Sequence, residues 1–83
     1  GMTAALKLRQ IVENVRHVLA IELLVACQAV DFHRPARTSP ALEAVHAAVR
    51  HHVPFMEKDR HVGADIAAVA GLIRDRKLPL AQA

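Results

Sequence analysis

Cysteine, glycine and aromatic residues are scarce in this sequence, and each shortage excludes a class of protein. Cys27 is the one cysteine among 83 residues, so an internal disulfide is impossible. Tryptophan and tyrosine are absent, and Phe32 and Phe55 are the two aromatic residues, too few for a surface on which nucleic-acid bases stack. Three widely separated glycines form no phosphate-binding loop.

Charge and length narrow the possible partners. Eleven Lys and Arg are dispersed among eight Asp and Glu, giving a net charge of +3 without a basic patch, so we expect no nucleic acid to bind. A chain of this length buries only about 60% of the surface that it exposes when unfolded. Its fold therefore needs further stabilisation from disulfides, a metal ion or a partner chain. With disulfides excluded, we expect a partner chain. The lone thiol and the lack of a secretory segment favour a cytoplasmic protein.

The residues that are abundant indicate an all-α fold. Hydrophobic residues make up 53% of the chain, chiefly Ala, Leu and Val, and no glycine or proline interrupts residues 3–30. Thr3 is a candidate N-cap for a helix over this stretch. Apolar residues recur there at alternating three- and four-residue steps, which is the seam of a bundle helix. We expect the helix-packing or oligomer interface to include Leu8, Ile11, Val15, Val18, Leu19, Glu22, Val25 and Ala29.

This first helix is too long and too apolar for one copy to cover. About 28 residues at about 1.5 Å each give a rod of about 42 Å, whereas a compact chain of this length has a radius of gyration of about 12 Å. Between residues 18 and 30 apolar side chains occupy most of the circumference, so several neighbours must enclose this half. The apolar run is shorter than the roughly 20 residues of a membrane span. We expect self-association through residues 18–30.

Glu22 lies within the apolar seam, where an unpaired carboxylate is costly. Three interpretations stay open. Glu22 pairs with an Arg or Lys of a neighbouring helix, reaches the wet edge of the bundle, or assists an active site built mostly by other residues.

Two shorter helices follow. Residues 31–38 break the first helix, and Ser39 followed by Pro40 is a start signal with a serine cap and proline in the first turn. A second helix over 39–53 ends at Pro54, and a third is expected over 63–76. Residues 55–62 connect them, with room for one helical turn. The predicted apolar faces are Leu42, Val45, Val49 and Val53 in the second helix, and Ile66, Val69, Ala70 and Ile73 in the third. We interpret residues 1–83 as a single helical segment.

No catalytic, cofactor-binding or metal-binding residue is predicted. His51 and His52 are adjacent and diverge on a helix, and His46 is off the four-residue spacing that places two ligands on one face. We expect the six histidines to be solvated or capping residues near helix ends. Ser39 is explained as a cap, and Cys27 as an inert packed thiol.

Several stretches resemble the last part of histidine ammonia-lyases. Residues 13–24 (ENVRHVLAIELL) and 26–31 (ACQAVD) resemble a long core helix of that family. Residues 37–43 (RTSPALE) resemble the next helix start, and Asp59-Arg60 with Ala64-Asp65-Ile66 the closing segment. The chain departs from the pattern in two ways: His61 and Val62 stand where aromatic residues are frequent, and Gly63 adds flexibility beside them, at the start of the third helix.

The resemblance implies a part of an enzyme. Histidine ammonia-lyases are tetramers with a central bundle of long helices, and they convert L-histidine to trans-urocanate and ammonia. Their methylidene-imidazolone forms from an Ala-Ser-Gly triplet that is absent here, and tyrosine is absent as well. We therefore expect a C-terminal segment that is inactive alone and is completed by the rest of the enzyme or by further copies. The alternatives are a segment of a related aromatic amino-acid lyase or aminomutase, or a free-standing helical self-association module.

Overall fold

Three α-helices form the part of the chain that the computed structural model describes, which is residues 3–55 and 62–79. They are α1 (Ala4–Phe32), α2 (Pro40–His52) and α3 (Val62–Arg74). No strand occurs within these residues. The predicted all-α fold with one long and two shorter helices is confirmed. The expected helical turn between α2 and α3 falls on residues 56–61, outside the described residues.

The starts of α1 and α2 are set by side-chain caps, as the sequence predicts. Thr3 Oγ1 accepts a hydrogen bond from the Leu6 amide at 3.2 Å. Ser39 Oγ accepts one from the Leu42 amide at 3.3 Å, and Pro40 opens α2. Each cap satisfies an amide that lacks a partner within its own helix, which fixes the residue where the helix begins.

The end of α3 is closed by a Schellman turn. Arg76 has a φ of 55°, in the left-handed region. Its amide donates to the Ile73 carbonyl at 3.2 Å, and the Lys77 amide donates to the Leu72 carbonyl at 2.9 Å. This pair of bonds satisfies two terminal carbonyls of α3. The turn directs the chain back so that Leu78 enters the core, where it is 8% exposed.

The core lies between α1 and α3, with the second half of α2 at one end. Its buried members are Ala20, Cys27, Val49, Val53, Val69, Leu72 and Leu78. The predicted face of α3 is confirmed, because Val69 is buried and Ile66, Ala70 and Ile73 pack against the core. On α2 the prediction is wrong at Leu42, which is 58% exposed, whereas Val45, Val49 and Val53 are buried.

The molecule is an elongated slab of 53 × 35 × 16 Å. Its radius of gyration of 14.5 Å exceeds the value of about 12 Å typical of a compact chain of this length. The long axis follows from α1, whose 29 residues extend beyond the two shorter helices. Among the described helices, none combines the length and apolar character needed to cross a bilayer.

Candidate functional site: the uncovered face of α1 and the α1–α2 corner

Helix α1 has two apolar faces, and the chain covers one of them. Ala20 and Cys27 are buried against the other helices, and Leu23 and Leu24 pack beside them. The opposite face is open to solvent. Its large apolar side chains are 44–64% exposed; they are Leu8, Ile11, Val12, Val15, Val18, Leu19 and Val25. Such a contiguous apolar surface is typical of an interaction site.

The eight residues predicted from the seam all lie on this open face or at its edge. Leu8, Ile11, Val15, Val18, Leu19, Glu22, Val25 and Ala29 are each exposed. The structure therefore brings them together on one side of α1, and none of them forms the internal core. Their role as an interface stays a prediction. Glu22 is exposed in this chain, so its proposed pairing with a neighbouring helix also stays a prediction.

The corner between α1 and α2 is held by a compact polar cluster around Asp31, near the end of α1. Its Oδ1 lies 2.7 Å from His46 Nε2, and its Oδ2 accepts from Arg50 Nε at 2.8 Å. Because a carboxylate only accepts, Nε2 carries the hydrogen. The three side chains are between 11% and 18% exposed. His46 and Arg50 are four residues apart and share one face of α2, which lets both contact the same carboxylate.

Arg50 uses the rest of its guanidinium to hold the chain that leaves α2. Nη1 donates to the carbonyls of Val53 at 3.1 Å and Pro54 at 3.4 Å, and Nη2 donates to Gln28 Oε1 at 3.3 Å. The guanidinium carbon lies 5.9 Å from the centre of the Phe55 ring. Arg50 thus joins α1, α2 and the segment that follows α2.

A second ion pair fixes the loop between α1 and α2. Arg34 donates through Nη1 and Nη2 to the two carboxylate oxygens of Glu43, each at 2.8 Å. The Thr38 amide adds a hydrogen bond to Glu43 Oε2 at 3.0 Å, and Arg37 lies 3.4 Å from Oε1. The bidentate bonds from Arg34, followed by the Thr38 amide, lower the pKa of Glu43 to about 2. Burial opposes ionisation of Asp31, but hydrogen bonds from Arg50 and His46 outweigh it, and the pKa of Asp31 is also lowered.

We therefore expect the fold to lose stability at the α1–α2 corner as the pH falls. A carboxylate whose pKa is lower in the folded state stabilises the fold above its unfolded pKa, and the stabilisation is lost as the pH falls. For Glu43 the loss runs from its ordinary value of 4.5 down to about 2. We expect the urea midpoint, followed by circular dichroism, to fall across this interval. Glu43→Gln should flatten the fall, whereas Glu13→Gln at an exposed position of α1 should leave it unchanged. An equally steep fall in both variants would contradict the assignment.

The sequence does not predict this cluster. The expectation that all six histidines are solvated or capping residues is wrong for His46, because this side chain is 11% exposed and contacts Asp31. His52 does act near a helix end, with Nδ1 3.2 Å from the Ala48 carbonyl. The one signal in the sequence was the four-residue spacing that places His46 and Arg50 on one face of α2. Their shared partner, Asp31, lies 15 residues before His46 on a different helix, and helix periodicity cannot predict a contact between two helices.

Cys27 and the possible metal-ligating side chains are the remaining candidate groups. Cys27 is 3% exposed, and burial raises the pKa of its thiol, as expected for a packed residue. Within residues 3–55 and 62–79, no group of three or more His, Cys, Asp or Glu side chains is arranged to hold a metal. An open groove of about 190 Å³ lies between α1 and α3, and its lining is mainly apolar.

Comparison with known proteins decides the family. The model of the aromatic amino acid lyase family matches residues 1–51, which is more than half of the chain and includes all of α1 and most of α2. The chain belongs to the aromatic amino acid lyase family. The resemblance stated from the sequence is thereby confirmed at the level of the family.

Individual relatives extend the match over almost the whole chain. A histidine ammonia-lyase of Koribacter versatilis is 54% identical over 81 residues, which cover 98% of this chain and 16% of that enzyme. Histidine ammonia-lyases of Anaeromyxobacter sp. (51% identical, 96% of this chain, 16% of the enzyme) and Legionella pneumophila strain Corby (40%, 94% and 15%) are similar to it as well. The chain thus spans about one-sixth of the length of these relatives. No solved structure matches it.

Proposed function

We propose that this chain is a core-helix segment of a histidine ammonia-lyase, and that it supplies packing surface rather than catalytic groups. The parent enzyme would convert L-histidine to trans-urocanate and ammonia in the cytoplasm. The observation that supports this most is the open apolar face of α1, in a chain that spans 16% of a histidine ammonia-lyase with which it shares 54% identity. A face of that character requires protein outside these three helices to cover it.

The side chains of this segment support a role in packing, with the catalytic groups supplied by other parts of the enzyme. Elimination of ammonia from histidine needs an electrophile and a tuned base. The methylidene-imidazolone of the family cannot form from this chain, because the sequence has no Ala-Ser-Gly triplet. The polar side chains at the α1–α2 corner are engaged with one another. We therefore expect the electrophile and the base to come from other parts of the enzyme, and the chain alone to produce no urocanate.

A complementation experiment tests this proposal. The Koribacter enzyme lacking its matching 81 residues would be co-expressed with this chain, and urocanate would be followed by its ultraviolet absorbance. We expect the two parts to be active together and inactive separately. A reconstituted complex without activity, or turnover by the isolated chain, would refute the proposal.

Variants of the open face make the experiment specific. Val15→Asp with Val18→Asp places two charges on this face and should abolish complementation while leaving α1 helical. The matched control is Gln10→Asp with His17→Asp, which adds the same two carboxylates at exposed positions away from the seam. Equal loss of activity in both double variants would show that charge on α1, rather than the covered face, is responsible.

A further inference from the structure

We draw no further inference here: the strongest candidate, the mainly apolar groove of about 190 Å³ between α1 and α3, continues through Val25 into the open face of α1, and nothing in the structure shows what covers it.

Discussion

Replacing Asp31 with alanine is expected to lower the free energy of unfolding by about 2 kcal/mol, because it leaves His46 and Arg50 without their shared acceptor. Both side chains are largely buried, at 11% and 15% exposed, so water replaces the lost hydrogen bonds only in part. Arg50 also holds the Val53 carbonyl, and loss of its anchor loosens the exit from α2. Urea unfolding at one fixed chain concentration measures the effect.

Two variants make the Asp31 result interpretable. Asp31→Asn keeps one acceptor oxygen and should recover part of the lost stability. Asp75→Ala removes a carboxylate that also contacts an arginine, Arg74, at 3.0 Å, but this pair is 61% and 46% exposed and should contribute little. If Asp31→Ala and Asp75→Ala destabilise the chain equally, the cluster at the α1–α2 corner is not a structural anchor.

Replacing Val69 with alanine is expected to be about as damaging as the loss of Asp31. Val69 is fully buried where α3 packs on α1. Removal of two buried methyl groups loses about 1.6 kcal/mol of transfer free energy, and the cavity left behind raises the total to about 2 kcal/mol. The same urea measurement applies. We expect the slope of the free energy against urea to be unchanged, because the extent of the core is the same.

The matched control for Val69 lies on the same helix. Val62 is 42% exposed at the start of α3, so Val62→Ala makes the same chemical change without opening a cavity. It should alter the free energy of unfolding by less than about 0.5 kcal/mol. A large effect at Val62 with a small effect at Val69 would mean that α3 packs with a different face toward α1.

Local signals in the sequence were sufficient to predict the three helices and the starts of α1 and α2. The caps that begin α1 and α2 bind amides only three residues away; they are Thr3 and Ser39, the latter followed by Pro40. The apolar period of α3 correctly predicts Val69 as a core residue. Leu42 shows the limit of this reasoning. It has the correct period for the α2 face, but it lies in the first turn, away from the part of α2 that reaches the core, and is exposed.

Contacts between helices were harder to predict from the sequence. The seam of α1 was identified by its period, yet the face that packs inside the chain is a different one, centred on Ala20 and Cys27. Because apolar residues surround most of α1, periodicity could not decide which face the other two helices would cover. Likewise Arg34 and Glu43 are nine residues apart, and their pairing depends on the path of the loop between α1 and α2.

The slab shape has a consequence for chemistry. With 16 Å as its smallest dimension, the molecule is at most two helices thick, so no side chain has more than one layer of protein on either side of it. Excluding water from an active site strengthens the electrostatic interactions inside it, which assists proton abstraction from carbon. Two layers of helix can cover a site from one side only. Reactive groups placed on these helices would therefore remain in contact with water until further protein layers covered them.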